Sequence, residues 1–207
     1  MNFWSIAPDW EGEDAFIVCG GTSVTQTMVD HTRGKHVIAI NSSYAITPHA
    51  EILFFADERW WTREYKERPA LLDAFKGVIV TTSRAAKGDR LVRLKRAKMP
   101  PGLAPESDSV VVRRTSLHAA LNICYHKKAR RIILLGADNR DGDNGRAHHH
   151  EEYPWKRLAR TWEMKVEDLA HVVEPLKAAG IEVINCSHIS TLPWWPKQTL
   201  GQALRGG

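Results

Sequence analysis

The sequence predicts a mostly parallel α/β fold, a sheet with helices on both faces, and three observations lead there. Short apolar runs recur along the chain, they are continuous rather than alternating, and helical periodicities fall between several of them. Continuous runs suit strands buried on both faces. With 207 residues, 43% hydrophobic and 26% charged, the chain has an ordinary globular composition and a length suited to one α/β domain over 1–207. General disorder and a fibrous repeat are excluded by the same numbers.

Strands are expected at 16–19, 36–40, 52–56, 78–81, 110–112, 132–135 and 181–184, each bounded by turn residues. Leu117, Ala120, Leu121 and Cys124 fall at i, i+3, i+4 and i+7, with Thr115 or Ser116 as N-cap, and predict a helix ending near His126. Leu158, Trp162, Val166, Leu169, Val173 and Leu176 mark a longer amphipathic helix that Pro175 is expected to kink or restart and Gly180 to end. The result is a Rossmann-like three-layer arrangement. Residues 84–108, with Pro100-Pro101-Gly102 and Pro105, read as an irregular loop or small lid, and 139–155 as a polar loop.

No uncharged apolar run reaches the ~18 to 20 residues that span a bilayer, and residues 1–10 lack the pattern of a secretory signal, so a cytoplasmic location is expected. Cys19, Cys124 and Cys186 are far apart and odd in number, which suits reduced thiols, and no CxxC spacing points to zinc. The net charge of +5 permits attraction to phosphate-bearing ligands. Much of it is local: Arg84, Lys87, Arg90, Arg93, Lys95, Arg96 and Lys98 stand against the single acid Asp89, either as a solvated face or as a surface for a polyanionic acceptor.

In an open parallel sheet, ligands sit outside the carboxyl ends of the strands, so the residues just after each strand carry the functional reading. After the first strand, Gly20, Gly21, Thr22 and Ser23 form either a phosphate cradle leading into a helix or a tight packing turn. Asn41 follows the second strand and can donate and accept toward a base or ribose, or serve as a cap; Asp57 follows the third as a cleft carboxylate or N-cap. Trp60 and Trp61 suit packing before ligand stacking. Arg114, Thr115 and Ser116 open a helix and suit a phosphate or carboxylate. The sixth strand delivers Asp138 into the polar loop carrying Asp141, Asp143 and the triplet His148, His149 and His150. One histidine is a candidate general base; a metal held with the aspartates and a plain exposed loop are the alternatives.

Taken in order, 16–23 (FIVCGGTS), 37–41 (VIAIN), Arg114-Thr115-Ser116 and 131–138 (RIILLGAD), the last followed by histidines, resemble the sialyltransferase-like fold of glycosyltransferase family 42. They also resemble the related 6-hydroxymethylpterin diphosphokinase-like family and phage proteins sharing this pattern. The resemblance covers about residues 15 to 190 and is more specific for fold than for reaction. It implies nucleotide-contacting roles for Gly20, Gly21, Ser23, Asn41, Thr115 and Ser116, a general base at His148 or His150, and Tyr153 as the candidate for a tyrosine that supports the leaving phosphate.

The leading expectation is therefore a nucleotide-dependent transferase, a glycosyltransferase with a CMP- or UDP-type sugar donor, no tightly bound cofactor and no metal. The alternative is diphosphate transfer to a hydroxymethyl acceptor, using ATP and Mg²⁺ held by Asp57, Asp138 or Asp141. A third reading is a non-catalytic protein binding a nucleotide or, through the basic run, nucleic acid. Residues 192–196 (LPWWP) could cover the core, form a lid or join subunits, with core cover as the default.

Overall fold

The computed structural model describes residues 2–97, 102–155 and 157–206. In chain order the elements are β1 (Asp14–Val18), α1 (Gln26–Asp30), β2 (His36–Ile40), a 3-10 turn (Asn41–Ala45), β3 (Ile52–Phe55), α2 (Glu58–Glu67), α3 (Pro69–Ala74) and β4 (Val78–Thr81). There follow β5 (Leu91–Arg93), β6 (Lys95–Ala97), β7 (Ser109–Val111), α4 (Ser116–His126), β8 (Arg131–Leu135), α5 (Thr161–Ala178), β9 (Glu182–Asn185) and α6 (Leu200–Arg205).

Seven strands form one parallel sheet in the order β5-β4-β3-β2-β1-β8-β9. Apolar residues succeed one another in each strand because both faces are covered, and alternate residues feed two different cores. Ala15, Ile17, Ile38, Phe54, Ile132 and Leu134 pack with Leu121 of α4 and Leu169, Val172 and Leu176 of α5. Phe16, Val18, Val37, Phe55, Ile133 and Leu135 pack on the other face with Val29 of α1, Trp60 and Trp61 of α2, Leu72 of α3 and Ala203 of α6. This is the expected three-layer α/β fold. Trp60 and Trp61 are buried beside Phe55, and Leu192 and Trp195 are buried in the first core.

The chain runs outward from β1 through β2, β3, β4 and β5, then crosses to β8 and β9 on the other side, so the switch point lies between β1 and β8. Val18 is level with both Ala39 of β2 and Leu135 of β8. The segments after β1, β2 and β8 consequently emerge at one rim of the sheet.

Three expectations are corrected. Residues 84–108, read as an irregular loop or lid, contain two strands: β5 extends the main sheet, and β6 pairs with β7 in a separate parallel ribbon. The strand expected at 110–112 accordingly lies outside the main sheet. Arginines masked this pattern, because Arg90 donates to the carbonyls of Leu72 and Phe75, Arg93 to that of Ala86, and Arg96 to that of Val112. They are internal ties, and Lys95 is paired with Asp108. Arg84 and Lys87 are exposed, whereas Lys98 and the Pro100-Pro101 pair fall outside the described residues. Finally, α5 begins at Thr161, leaving Leu158 exposed, and continues through Pro175 as one helix.

The segment before β7 is anchored to α4 by the buried Asn122, whose Oδ1 accepts from the N–H groups of Ala104 (2.8 Å) and Val111 (3.1 Å). Asn122→Ala leaves both donors without a partner away from water, and is expected to destabilise the protein by about 2–4 kcal/mol, measured as a lower urea midpoint.

Candidate functional site

A cleft of about 440 Å³ opens at the carboxyl rim of the sheet. Gly20, Gly21, Asn41, Asp57, Arg114, Thr115, Ser116, Asp138, His148, His150 and Tyr153 line it, so the strand-end residues singled out in the sequence converge on one cavity. Thr22 and Ser23 do not line it.

The reason is Asp138, which is almost fully buried and needs donors. Its carboxylate accepts from the Ser23 amide (2.9 Å), the Thr22 hydroxyl (3.3 Å) and the hydroxyls of Ser23 and Ser187. Thr22, Ser23 and Asp138 are therefore bonded to each other, and Thr22 and Ser23, expected as nucleotide contacts, lie outside the cleft lining while Asp138 remains in it. Gly21 belongs to the same knot. Its N–H donates to the Gly136 carbonyl (2.9 Å), and a Cβ there would collide with that carbonyl and with Asp138. The helix expected to aim its N-terminus at this turn starts only at Gln26, with the exposed Thr25 as its cap.

Gly20 differs. A Cβ on it would meet only side-chain tips, His148 Nδ1 at 3.2 Å and His150 Nε2 at 3.5 Å. The histidine loop closes over this glycine, with the His149 amide donating to the Gly20 carbonyl (2.9 Å). Successive side chains diverge: His149 leaves the cleft to meet Ser43 Oγ at 3.3 Å, while His148 and His150 stack with centroids 4.8 Å apart. Glu152 holds the turn by accepting from the amides of Ala147 (2.7 Å) and His148 (3.2 Å). His150 Nδ1 is bonded to the Glu151 carbonyl (2.7 Å) and its Nε2 lies 3.4 Å from the Tyr153 hydroxyl. A ring nitrogen facing a carbonyl must carry the proton, so Nε2 of His150 accepts. Among the described residues His148 forms no side-chain hydrogen bond, and it is the ring left free to take a proton. Burial, reinforced by the neighbouring His150, lowers His148 to about 4. Burial likewise lowers His150, and it raises Tyr153 to about 12.

Asn41 adopts a left-handed backbone (φ 49°) at the end of β2, a conformation Asn tolerates better than most residues. Among the described residues its buried Oδ1 has no hydrogen-bond partner. Asp57 sits at the rim as the N-cap of α2, accepting from the Arg59 amide (2.9 Å) and pairing with the Arg59 guanidinium (2.7 Å). Burial pushes its carboxyl up, but these bonds outweigh burial and hold it below its ordinary value. Asp57 thus serves as the N-cap that the sequence offered as its alternative role, and it stays in the cleft lining paired with Arg59. Thr115 caps α4, accepting from the Leu117 amide (3.2 Å), and Ser116 is the first helical residue. Arg114 is pinned by Asp168 of α5 (2.8 and 2.9 Å).

Among the described residues no three His, Cys, Asp or Glu side chains converge on a metal-sized position. Asp138 is enclosed by hydroxyls, Asp57 holds Arg59, and Asp141 holds Arg157 (3.0 Å). No helix among them is long and apolar enough to cross a membrane.

No family model matches the sequence, and no curated protein sequence matches it. The structure is similar to that of the sialyltransferase CstII from Campylobacter jejuni, described in complex with a substrate analogue, cytidine-5'-monophosphate. The match covers 90% of this chain and 85% of that chain, with a TM-score of 0.52 and 12% identity. The fold is sialyltransferase-like. At that identity the likeness speaks for the fold alone.

Within this sialyltransferase-like frame the cleft also contains residues the sequence reading missed: Arg59, Arg140, Trp155, Arg157, Trp162 and Lys165. Tyr153 stacks on Trp155 (4.9 Å), which carries the Arg59 guanidinium on its ring (4.9 Å). Trp162 is flanked by Arg157 (4.8 Å) and Lys165 (4.3 Å). One signal was available, since Lys165 falls three residues after Trp162 and four before Leu169, on the stripe otherwise read as apolar.

The two glycines make opposite predictions. Gly21→Ala forces backbone apart and is expected to cost about 1–3 kcal/mol, whereas Gly20→Ala, meeting only mobile rings, costs about 1 kcal/mol or less. Denaturant melts of the two variants check this.

Proposed function

We propose that the protein is a glycosyltransferase that takes a nucleotide sugar of CMP or UDP type into this cleft and uses His148 as general base. The observation that carries the reading is the meeting of Gly20, Asn41, Thr115, Ser116 and a hydrogen-bond-free His148 around one basic cavity at the switch point. The unpartnered Oδ1 of Asn41 supports a donor group such as a base amine or ribose hydroxyl beside it. The solved neighbour's complex with cytidine-5'-monophosphate favours CMP over UDP.

In this mechanism the acceptor hydroxyl gives its proton to His148 as its oxygen bonds to the sugar carbon. The bond from that carbon to the donor phosphate oxygen breaks, and its electron pair leaves with the nucleotide. Negative charge grows on that phosphate, and the cations and the N-terminus of α4 around the cleft stabilise it. His148 is preferred over His150 because both nitrogens of His150 are already engaged. Arg114, Thr115 and Ser116 position the phosphate from the α4 side. The acceptor faces Trp155 and the Arg59–Asp57 pair, a surface that suits a polar molecule with flat apolar faces.

A thermal-shift panel of nucleotides and nucleotide sugars is expected to show stabilisation by CMP or UDP species in the presence of a chelator. Stabilisation by ATP alone and only with Mg²⁺ contradicts the reading in favour of diphosphate transfer. His148→Ala is expected to lower kcat for release of CMP or UDP by about 10²–10⁴-fold with folding retained. Because the base works unprotonated and His148 is held low, activity is lost only as pH falls through about 4 and stays level across about pH 5.5–7.5. An inflection near the ordinary histidine value, about 6.5, counts against His148 as the base.

A further inference from the structure

Lys165 reaches from α5 into the cleft with its Nζ 4.3 Å from the centre of the Trp162 ring. The other cations of the cleft have oxygen partners. Arg59 is paired with Asp57, Arg114 with Asp168, and Arg157 with Asp141, while Arg96 donates to a backbone carbonyl. Among the described residues Lys165 has none: the ionisable groups that face it are Arg157, the Cys19 thiol at the end of β1, and His148. A half-buried ammonium beside a guanidinium and an aromatic face has given up water without gaining an anion. Burial, then the Arg157 charge, accordingly lowers it to about 8. Cys19 and His148 place it over the β1 and β8 switch point, where the free histidine opens.

Resting on the reading of the cleft as a nucleotide-sugar site, we propose that Lys165 binds the phosphate of the nucleotide, and takes the charge that phosphate gains as the sugar departs. A phosphate oxygen supplies the counter-ion that Lys165 lacks. Its compact ammonium suits a point contact, with the stem held along Trp162. This differs from Arg113 and Arg114, whose charge is already shared with Asp168.

The test is isothermal titration of the full chain with CMP, UDP, cytidine and uridine, at about pH 7.5 and about pH 9.5. The readout is the ratio of nucleoside Kd to nucleotide Kd, which isolates what the phosphate contributes. Lys165→Met is expected to cut that ratio by about 10- to 100-fold and to leave nucleoside affinity unchanged. In the wild type the ratio falls several-fold at the higher pH as Lys165 loses its proton, while Lys165→Arg keeps the ratio at both values. Over this range His148 stays neutral and burial keeps the Cys19 thiol protonated, so neither supplies the change. Should Lys165→Met fail to fold, by its circular-dichroism melt, the wild-type and Lys165→Arg comparison across pH decides. A ratio that Lys165→Met leaves intact, or that falls equally in wild type and Lys165→Arg, overturns this inference and leaves the nucleotide reading standing. If neither CMP nor UDP binds the wild-type chain, the nucleotide reading fails and this inference with it.

Discussion

The carboxylate of Asp138 ties together the loops that leave β1, β8 and β9. It is buried and satisfied by the Ser23 amide and by hydroxyls of Thr22, Ser23 and Ser187, the last from the segment after β9. Ser187 Oγ also lies 2.9 Å from Ser23 Oγ, closing the network. A buried acid with several donors is rigid, because loss of any one bond leaves a charged group short of its hydration. That rigidity sets where Gly20 sits, and Gly20 sets where the histidine loop lies. The position of His148 therefore depends on a carboxylate whose own bonds run to the Ser23, Thr22 and Ser187 donors.

The opposite wall depends on α5 in a comparable way. Asp168 accepts from Arg113, from the Arg114 guanidinium and from the Arg114 amide (3.2 Å), fixing the turn that leads into α4. Burial pushes the Asp168 carboxyl up, but the arginine bonds prevail and keep it below its ordinary value. Within the two turns before Asp168 the same helix presents Trp162 and Lys165 to the cavity. A single helix thus orients the Thr115-Ser116 corner and carries a cation of its own, so distortion of α5 would reach both functions at once.

The sheet was legible because its strands are continuous apolar runs, which only double coverage explains. The α4 signal was equally clear, since Leu117 to Cys124 keep helical spacing behind a threonine cap. By contrast β5 and β6 were hidden, because Arg90, Arg93 and Arg96 read as surface charge and only the fold reveals the carbonyls they bond. The convergence of strand ends could be inferred from topology, but the division of labour could not. Ser23 and Asp138 look like ligands in a sequence and are partners in the structure. Lys165 looks like a polar interruption of an apolar stripe, and its lack of an oxygen partner becomes visible only in three dimensions.

Nucleotide binding as proposed would engage one rim of the sheet, around the β1 and β8 switch point. Hydrogen–deuterium exchange of the full chain with and without saturating CMP or UDP tests it most directly. Slower exchange is expected at the Gly20 turn, the 3-10 turn that begins at Asn41, the start of α4 and the histidine loop. Slowing confined to the apolar groove lined by Leu103, Tyr125 and His171, or to the exposed Arg84 and Lys87 edge, would contradict it.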